Sequence, residues 1–100
     1  MTSKITLTYP TALALAAISQ GHRYGFDIMD ATGLTSGTVY PALERLEELS
    51  FVRSRWESDV IAHRDRRPAR RYFELTRAGS RALAEGLERY PLLRPRMAER

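Results

Sequence analysis

The sequence predicts a mainly α-helical domain carrying one small β-hairpin, and two neighbouring stretches make that prediction. The first, Leu34-Thr35-Ser36-Gly37-Thr38-Val39-Tyr40-Pro41-Ala42-Leu43-Glu44-Arg45-Leu46-Glu47, sets Val39, Ala42, Leu43 and Leu46 at the i, i+3, i+4, i+7 spacing of an amphipathic helix. The second, from Arg53 to Arg71, is rich in arginine and flanked by aromatic and branched residues. A short amphipathic helix followed by a basic hairpin is the layout of a winged helix-turn-helix: three helices, a two-stranded wing and a C-terminal helix. That layout points to double-stranded DNA as the partner, with a helix lying in a groove.

Each element has its own signal. Thr8 or Tyr9 starts the first helix, with Pro10 in the first turn, where a missing N–H does no harm. Thr11 to Ser19 is apolar on nearly all sides, as in a buried helix, and Gly21 stops it. Tyr24 to Ala31 shows Tyr24, Ile28 and Ala31 at helical spacing, with Gly33 as a C-cap. Thr35 or Ser36 suits the N-cap of the third helix, because its hydroxyl can accept an orphan backbone N–H. Leu49 extends the inward stripe of that helix. Pro41 lies inside it and gives no N–H to the Gly37 carbonyl, so a local kink is expected, eased by the missing side chain at Gly37. Val52–Trp56 and Arg70–Leu75 predict two antiparallel strands. The 13 residues from Glu57 to Ala69 predict a long connecting loop of the functional or mobile kind. Thr76 caps a last helix with Leu83, Leu87 and Tyr90 as its apolar stripe. Pro91 ends or kinks it, and Pro95 opposes a long continuation.

Composition narrows the function. One hundred residues suffice for a single small core. The absence of cysteine removes disulfides, thiolate metal sites and a cysteine nucleophile together. Between Phe51 and Phe73 stand arginines 53, 55, 64, 66, 67, 70 and 71 against acids 57, 59 and 65, a local charge of 7 − 3 = +4, as large as that of the whole chain. Such a local excess is an electrostatic footprint for an anionic partner. The run Ala12–Ile18 looks like the apolar core of a signal peptide, but it is far short of the ~20 residues of a membrane span and continues into amphipathic sequence. A cytoplasmic protein with no membrane partner is expected.

The candidate DNA-binding residues follow from groove chemistry. Ser36, Gly37, Thr38 and Tyr40 give the third helix a narrow start and hydroxyls for phosphates or base edges, although capping by Ser36 and Thr38 and packing by Tyr40 would use the same residues. Arg45 can reach a phosphate or pair within the helix with Glu44 or Glu48. Arg64, Arg66 and Arg67, at the wing tip, are the phosphate or minor-groove candidates. Arg70 and Arg71 can act likewise from the strand, or lie over Tyr72 and Trp56 as cation–π partners. Arg23 suits a solvated surface slightly better than a flanking phosphate. Catalysis finds no support: the chain has two histidines, His22 and His63, and no nucleophile motif or phosphate loop. His63 with Asp59 and Asp65 lacks the spacing of a metal site, so neither metal nor cofactor is expected.

Three motifs in order resemble the PadR-like transcriptional regulators. Gly21-His22-Arg23-Tyr24-Gly25-Phe26-Asp27-Ile28 is similar to the G-x-x-[HY]-G-[YF]-[DE]-[IL] segment of that family. Leu34 to Leu43, with Gly37-Thr38-Val39-Tyr40-Pro41 at its centre, resembles the third-helix signature, and Arg70 to Gly79 resembles the second wing strand and the following helix start. The resemblance implies a winged-helix repressor that binds a pseudo-palindromic operator as a homodimer. It also implies a C-terminal helical dimerisation element, and often a response to a small aromatic or cationic effector. On this reading residues 1–75 form the DNA-binding domain, and residues 76–100 form the dimerisation helix, with Leu83, Leu87 and Tyr90 in the contact, and a short tail. The chain departs from the family pattern in a C-terminal region that is shorter and interrupted by Pro91 and Pro95. It also carries Glu44 where a basic or neutral residue is common. The rival reading is a winged-helix protein-interaction module whose arginines only solubilise it.

Overall fold

The computed structural model describes residues 6–93. Its elements run α1 (Tyr9–Ser19), α2 (Gly25–Thr32), α3 (Ser36–Glu48), β1 (Val52–Trp56), α4 (Asp59–Arg64), β2 (Arg71–Leu75) and α5 (Arg77–Arg89). This is the predicted winged helix-turn-helix with one addition. The connector between the strands is not a plain loop but carries the short helix α4. Ser58 caps it by accepting the Ile61 N–H at 3.3 Å, Asp59 lies in the first turn, and His63 and Arg64 lie in the last, where each charge suits the helix dipole. The Ser58-Asp59 start and the apolar Val60-Ile61-Ala62 run were the signal available in the sequence.

α1 is the centre of the molecule. Ala12 through Ile18 are all buried, and α1 packs against α2, α3, α5 and β2. Ile28, Val39, Leu43, Leu46, Val52 and Phe73 close the core around it. Thr8 caps α1, Gly33 ends α2 in the left-handed conformation (φ 78°), and α3 runs through Pro41 without a break. The predicted inward stripe of α3 is buried from Val39 to Leu46, with Leu49 half-buried at its end. The N-cap of α3 differs from expectation. Thr35 occupies the position, but its hydroxyl bonds the Thr38 hydroxyl at 3.4 Å and takes no backbone N–H.

The strands pair antiparallel in the register Val52↔Leu75 to Trp56↔Arg71. Beyond them, the Glu57 N–H donates to the Arg70 carbonyl at 2.7 Å, so Arg70 continues the ladder without belonging to β2. On its other edge β2 donates the Phe73 N–H to the Arg23 carbonyl, also at 2.7 Å, which ties the wing to the α1–α2 turn.

The apolar stripe of α5, expected to make the dimer contact, packs against its own chain. Leu83 is 7% exposed, and Leu87 and Tyr90 pack on the core of their own chain. The Tyr90 hydroxyl donates to the Leu7 carbonyl at 2.9 Å, and its ring meets Tyr9 edge-on at 5.4 Å. The first helix and the α5 stripe are thus spent on each other, because a helix apolar on every side needs a cover on every side. After Pro91 a turn buries Leu93 in the same core. Pro95 and the rest of the tail lie outside the described residues.

Candidate nucleic-acid interface

The start of α3 is open to an outside partner. Ser36, Gly37, Tyr40, Pro41, Glu44 and Arg45 are exposed, and Thr38 is half-buried. No side chain caps the first turn; the Thr38 N–H donates to the Thr35 carbonyl at 3.0 Å, which leaves the amides of Ser36 and Gly37 as the turn's orphan donors. Gly37 needs no bareness for packing. A Cβ there would meet only the Thr35 hydroxyl oxygen at 3.9 Å, so the missing side chain leaves surface that a partner's backbone can approach. Arg45 has no carboxylate within ion-pair distance among the described residues, so the alternative of a pair with Glu44 or Glu48 does not form.

Tyr40 and the wing share a groove. A cleft of about 570 Å³ is lined by Tyr24, Phe26, Tyr40, Trp56 and Arg67 to Arg71. Phe26 and Trp56 are 73% and 66% exposed there, large apolar surfaces that the core does not use. Arg70 lies 4.1 Å above the Tyr24 ring, a cation–π partner other than the Tyr72 and Trp56 that the sequence offered as alternatives. Arg71 lies near Phe73 and Trp56, 5.2 and 6.0 Å from their ring centres. It also bonds Ser54 at 3.0 Å and pairs with Glu47, which fastens the wing to α3.

The wing arginines divide into free and committed. Arg66, in a left-handed turn at φ 57°, and Arg55 have no carboxylate partner among the described residues. Arg55 was missed by sequence reasoning, although its alternation with Arg53 along β1 placed both on one face. Arg64 pairs loosely with Asp65 at 3.3 Å and stays 71% exposed. Arg53 and Arg23 both lean on Glu74, at 3.0 and 3.5 Å.

Arg67 is not the flexible tip residue the sequence suggests. Its side chain is 23% exposed and makes a two-pronged pair with Glu57, at 2.6 and 2.8 Å. The Arg67 guanidinium holds the Glu57 carboxyl down to about pKa 2, helped by the Arg70 N–H and the Tyr72 hydroxyl against the opposing effect of desolvation. The same bond raises the pKa of Arg67 further above its already high value. Once α4 forms, the chain turns back and delivers Arg67 to the end of β1, beside the nearest carboxylate.

Among the described residues no helix is long and apolar enough to cross a membrane, and no group of three His, Asp or Glu side chains gathers to hold a metal ion. No curated protein matches the chain. Among solved structures, a PadR family transcription regulator from Clostridium difficile is 22% identical, with a TM-score of 0.71 over 92% of this chain and 97% of that one. Smu.1704 from Streptococcus mutans is 21% identical, with a TM-score of 0.70 over 94% and 87%. Bordetella bronchiseptica BpsR, whose DNA binding is regulated by 6-hydroxynicotinic acid, is 21% identical, with a TM-score of 0.69 over 91% of this chain and 64% of its own. These likenesses establish the winged-helix fold. The model of the transcriptional regulator PadR-like family matches residues 14–85, from within α1 to within α5. The chain therefore belongs to the PadR-like family, as a DNA-binding transcription regulator and not an enzyme.

Proposed function

We propose that the chain is a repressor that binds a palindromic operator as a homodimer and acts in the cytoplasm. The observation that carries this reading is the groove in which Tyr40 of α3 faces Trp56 and Arg70 of the wing. One face thereby offers a helix start for base edges and cations for the backbone. Ser36, Gly37, Thr38 and Tyr40 do the reading, with Arg45 on the adjoining phosphate. Arg64, Arg66 and Arg70 hold the backbone from the wing, joined by Arg55. Arg67 is left out of this set by its bond to Glu57.

For the dimer, the inner stripe of α5 is already covered. The interface proposed instead is the edge of that helix beside the segment before α1, where Thr6, Leu7, Ala82, Glu85 and Arg89 line a shallow groove of about 280 Å³, together with Leu92, which is 76% exposed. Two copies would set their α3 helices about 34 Å apart, one turn of DNA, and so require a two-fold operator. A small-molecule effector belongs to the same proposal. Seated in the groove beneath Trp56, it would occupy the space that α3 and the wing share.

A mobility shift with DNA from upstream of the chain's own gene and with unrelated DNA, each at several salt concentrations, tests the reading. The expected result is tighter binding to the upstream DNA, with an affinity that falls steeply with salt. Equal, weak binding to both DNAs would overturn operator recognition and leave a protein-interaction module. Sedimentation of the chain with and without operator checks the dimer.

A further inference from the structure

The clasp between Glu57 and Arg67 sits inside the proposed interface yet contributes no free charge to it. Resting on the DNA-binding reading, we propose that Glu57 is the positioning residue of the wing and that Arg67 acts through it, not on phosphate.

Both carboxylate oxygens of Glu57 are fully used, and its side chain is only 6% exposed. Oε1 accepts from Arg67 Nη1 at 2.6 Å and from the Arg70 N–H at 3.3 Å. Oε2 accepts from Arg67 Nη2 at 2.8 Å and from the Tyr72 hydroxyl at 3.3 Å. Glu57 directly follows β1, Arg67 follows α4, and Arg70 and Tyr72 flank the start of β2. One carboxylate therefore ties both feet of the excursion from Ser58 to Arg66. Besides it, the excursion is held by the backbone bond from the Glu57 N–H to the Arg70 carbonyl at 2.7 Å and by bonds local to its own end, the Arg67 N–H to the Ala62 carbonyl at 3.1 Å and Arg67 to Asp65 at 3.3 Å. α4 is a single short helix with one buried residue, Ala62, and makes no extended contact with another element. Val60 on its outer side is 78% exposed.

The arrangement also argues against Arg67 as a phosphate ligand. A guanidinium already forked onto a shielded carboxylate must give up two charge-assisted bonds before it can reach DNA. Arg66, beyond the clasp, has no carboxylate partner to give up among the described residues, and Arg64 has only its exposed pair with Asp65 at 3.3 Å. The clasp thus orders the wing before DNA arrives. When the ordered wing is only a fraction of the population, apparent affinity falls by that fraction while the bound state keeps its contacts.

The test separates charge from geometry. Arg67→Lys keeps the positive charge but cannot reproduce the fork, and Glu57→Gln keeps the shape but removes the counter-charge. Both are measured for operator affinity over a salt series and for hydrogen exchange of the amides from residues 58 to 67 in the DNA-free protein. The proposal expects each variant to bind about tenfold more weakly with an unchanged salt slope, and to exchange those amides faster. Tyr72→Phe, which removes one donor from Glu57, should move both readouts the same way by less. If Arg67→Lys binds like the parent, while Arg67→Ala loses affinity and lowers the log–log slope by about 0.9, Arg67 is a phosphate ligand and the proposal falls. If the parent protein binds no operator, the DNA reading fails instead. The clasp is then judged by exchange alone, and unchanged exchange in both variants overturns it.

Discussion

Tyr40 lies over Gly25: a Cβ built on that glycine would run into the phenol hydroxyl well inside van der Waals contact. The first turn of α2 is thus bare because a residue at the start of α3 covers it. Tyr40 is still 44% exposed, so one ring fixes the angle between two helices and faces the groove as well.

Gly25→Ala should therefore destabilise the fold by about 1–3 kcal/mol, the usual cost of overpacking. In a domain of this size each kcal/mol is worth roughly 4–8 °C in melting temperature. Combining it with Tyr40→Ala should recover much of the loss, a coupling that a double-mutant cycle by thermal unfolding measures directly. Additive losses would show that the two residues do not share the space.

Gly37 presents the opposite case. Gly37→Ala meets no more than the ordinary contact with the Thr35 hydroxyl and improves helix propensity, so stability should hold or rise by up to about 1 kcal/mol. Operator affinity should nevertheless drop about tenfold, or 1.4 kcal/mol, because the added methyl stands where DNA approaches. Paired unfolding and mobility-shift measurements check this, and unchanged affinity would remove Gly37 from the reading surface.

Gly79 reports on a different joint. Its position at the start of α5 faces the Phe51 carbonyl, which also accepts the Thr76 N–H at 3.0 Å, while the Thr76 hydroxyl donates to the Ser50 carbonyl at 2.6 Å. Gly79→Ala should cost about 1–3 kcal/mol by pushing α5 off this seat. Chemical denaturation would register it as a lower midpoint with an unchanged slope.

Acid should loosen the wing before the core. Glu57 has its pKa lowered from 4.5 to about 2, chiefly by the Arg67 hydrogen bond. A lowered carboxyl pKa gives stability that is complete above 4.5 and is lost as pH falls toward 2. Trp56, the single tryptophan, adjoins Glu57 and is a local fluorescent reporter. Its signal should shift between pH 4.5 and 2 in the parent protein, and Glu57→Gln should abolish that dependence.

Periodicity made the helices legible. Val39 to Leu46 and the all-apolar α1 allow one reading each, and Gly33 and Thr76 mark their boundaries. What stayed hidden was long-range. No local pattern tells that Arg67 turns back to Glu57, or that Arg70 finds Tyr24 across the groove in place of Tyr72. The dimer expectation for Leu83, Leu87 and Tyr90 has the same origin. A helical stripe announces that it will be covered, but not by which surface, and here the cover is α1.

That cover has a consequence for assembly. If an apolar helix wrapped by α5 of its own chain suffices as a core, the monomer should fold alone, unlike obligate dimers that have no stable folded monomer. Its melting temperature should then be the same at micromolar and at hundred-micromolar protein. The proposed pairing of two such monomers would then be a separate and reversible equilibrium, one that an operator with two half-sites would drive by holding both copies side by side.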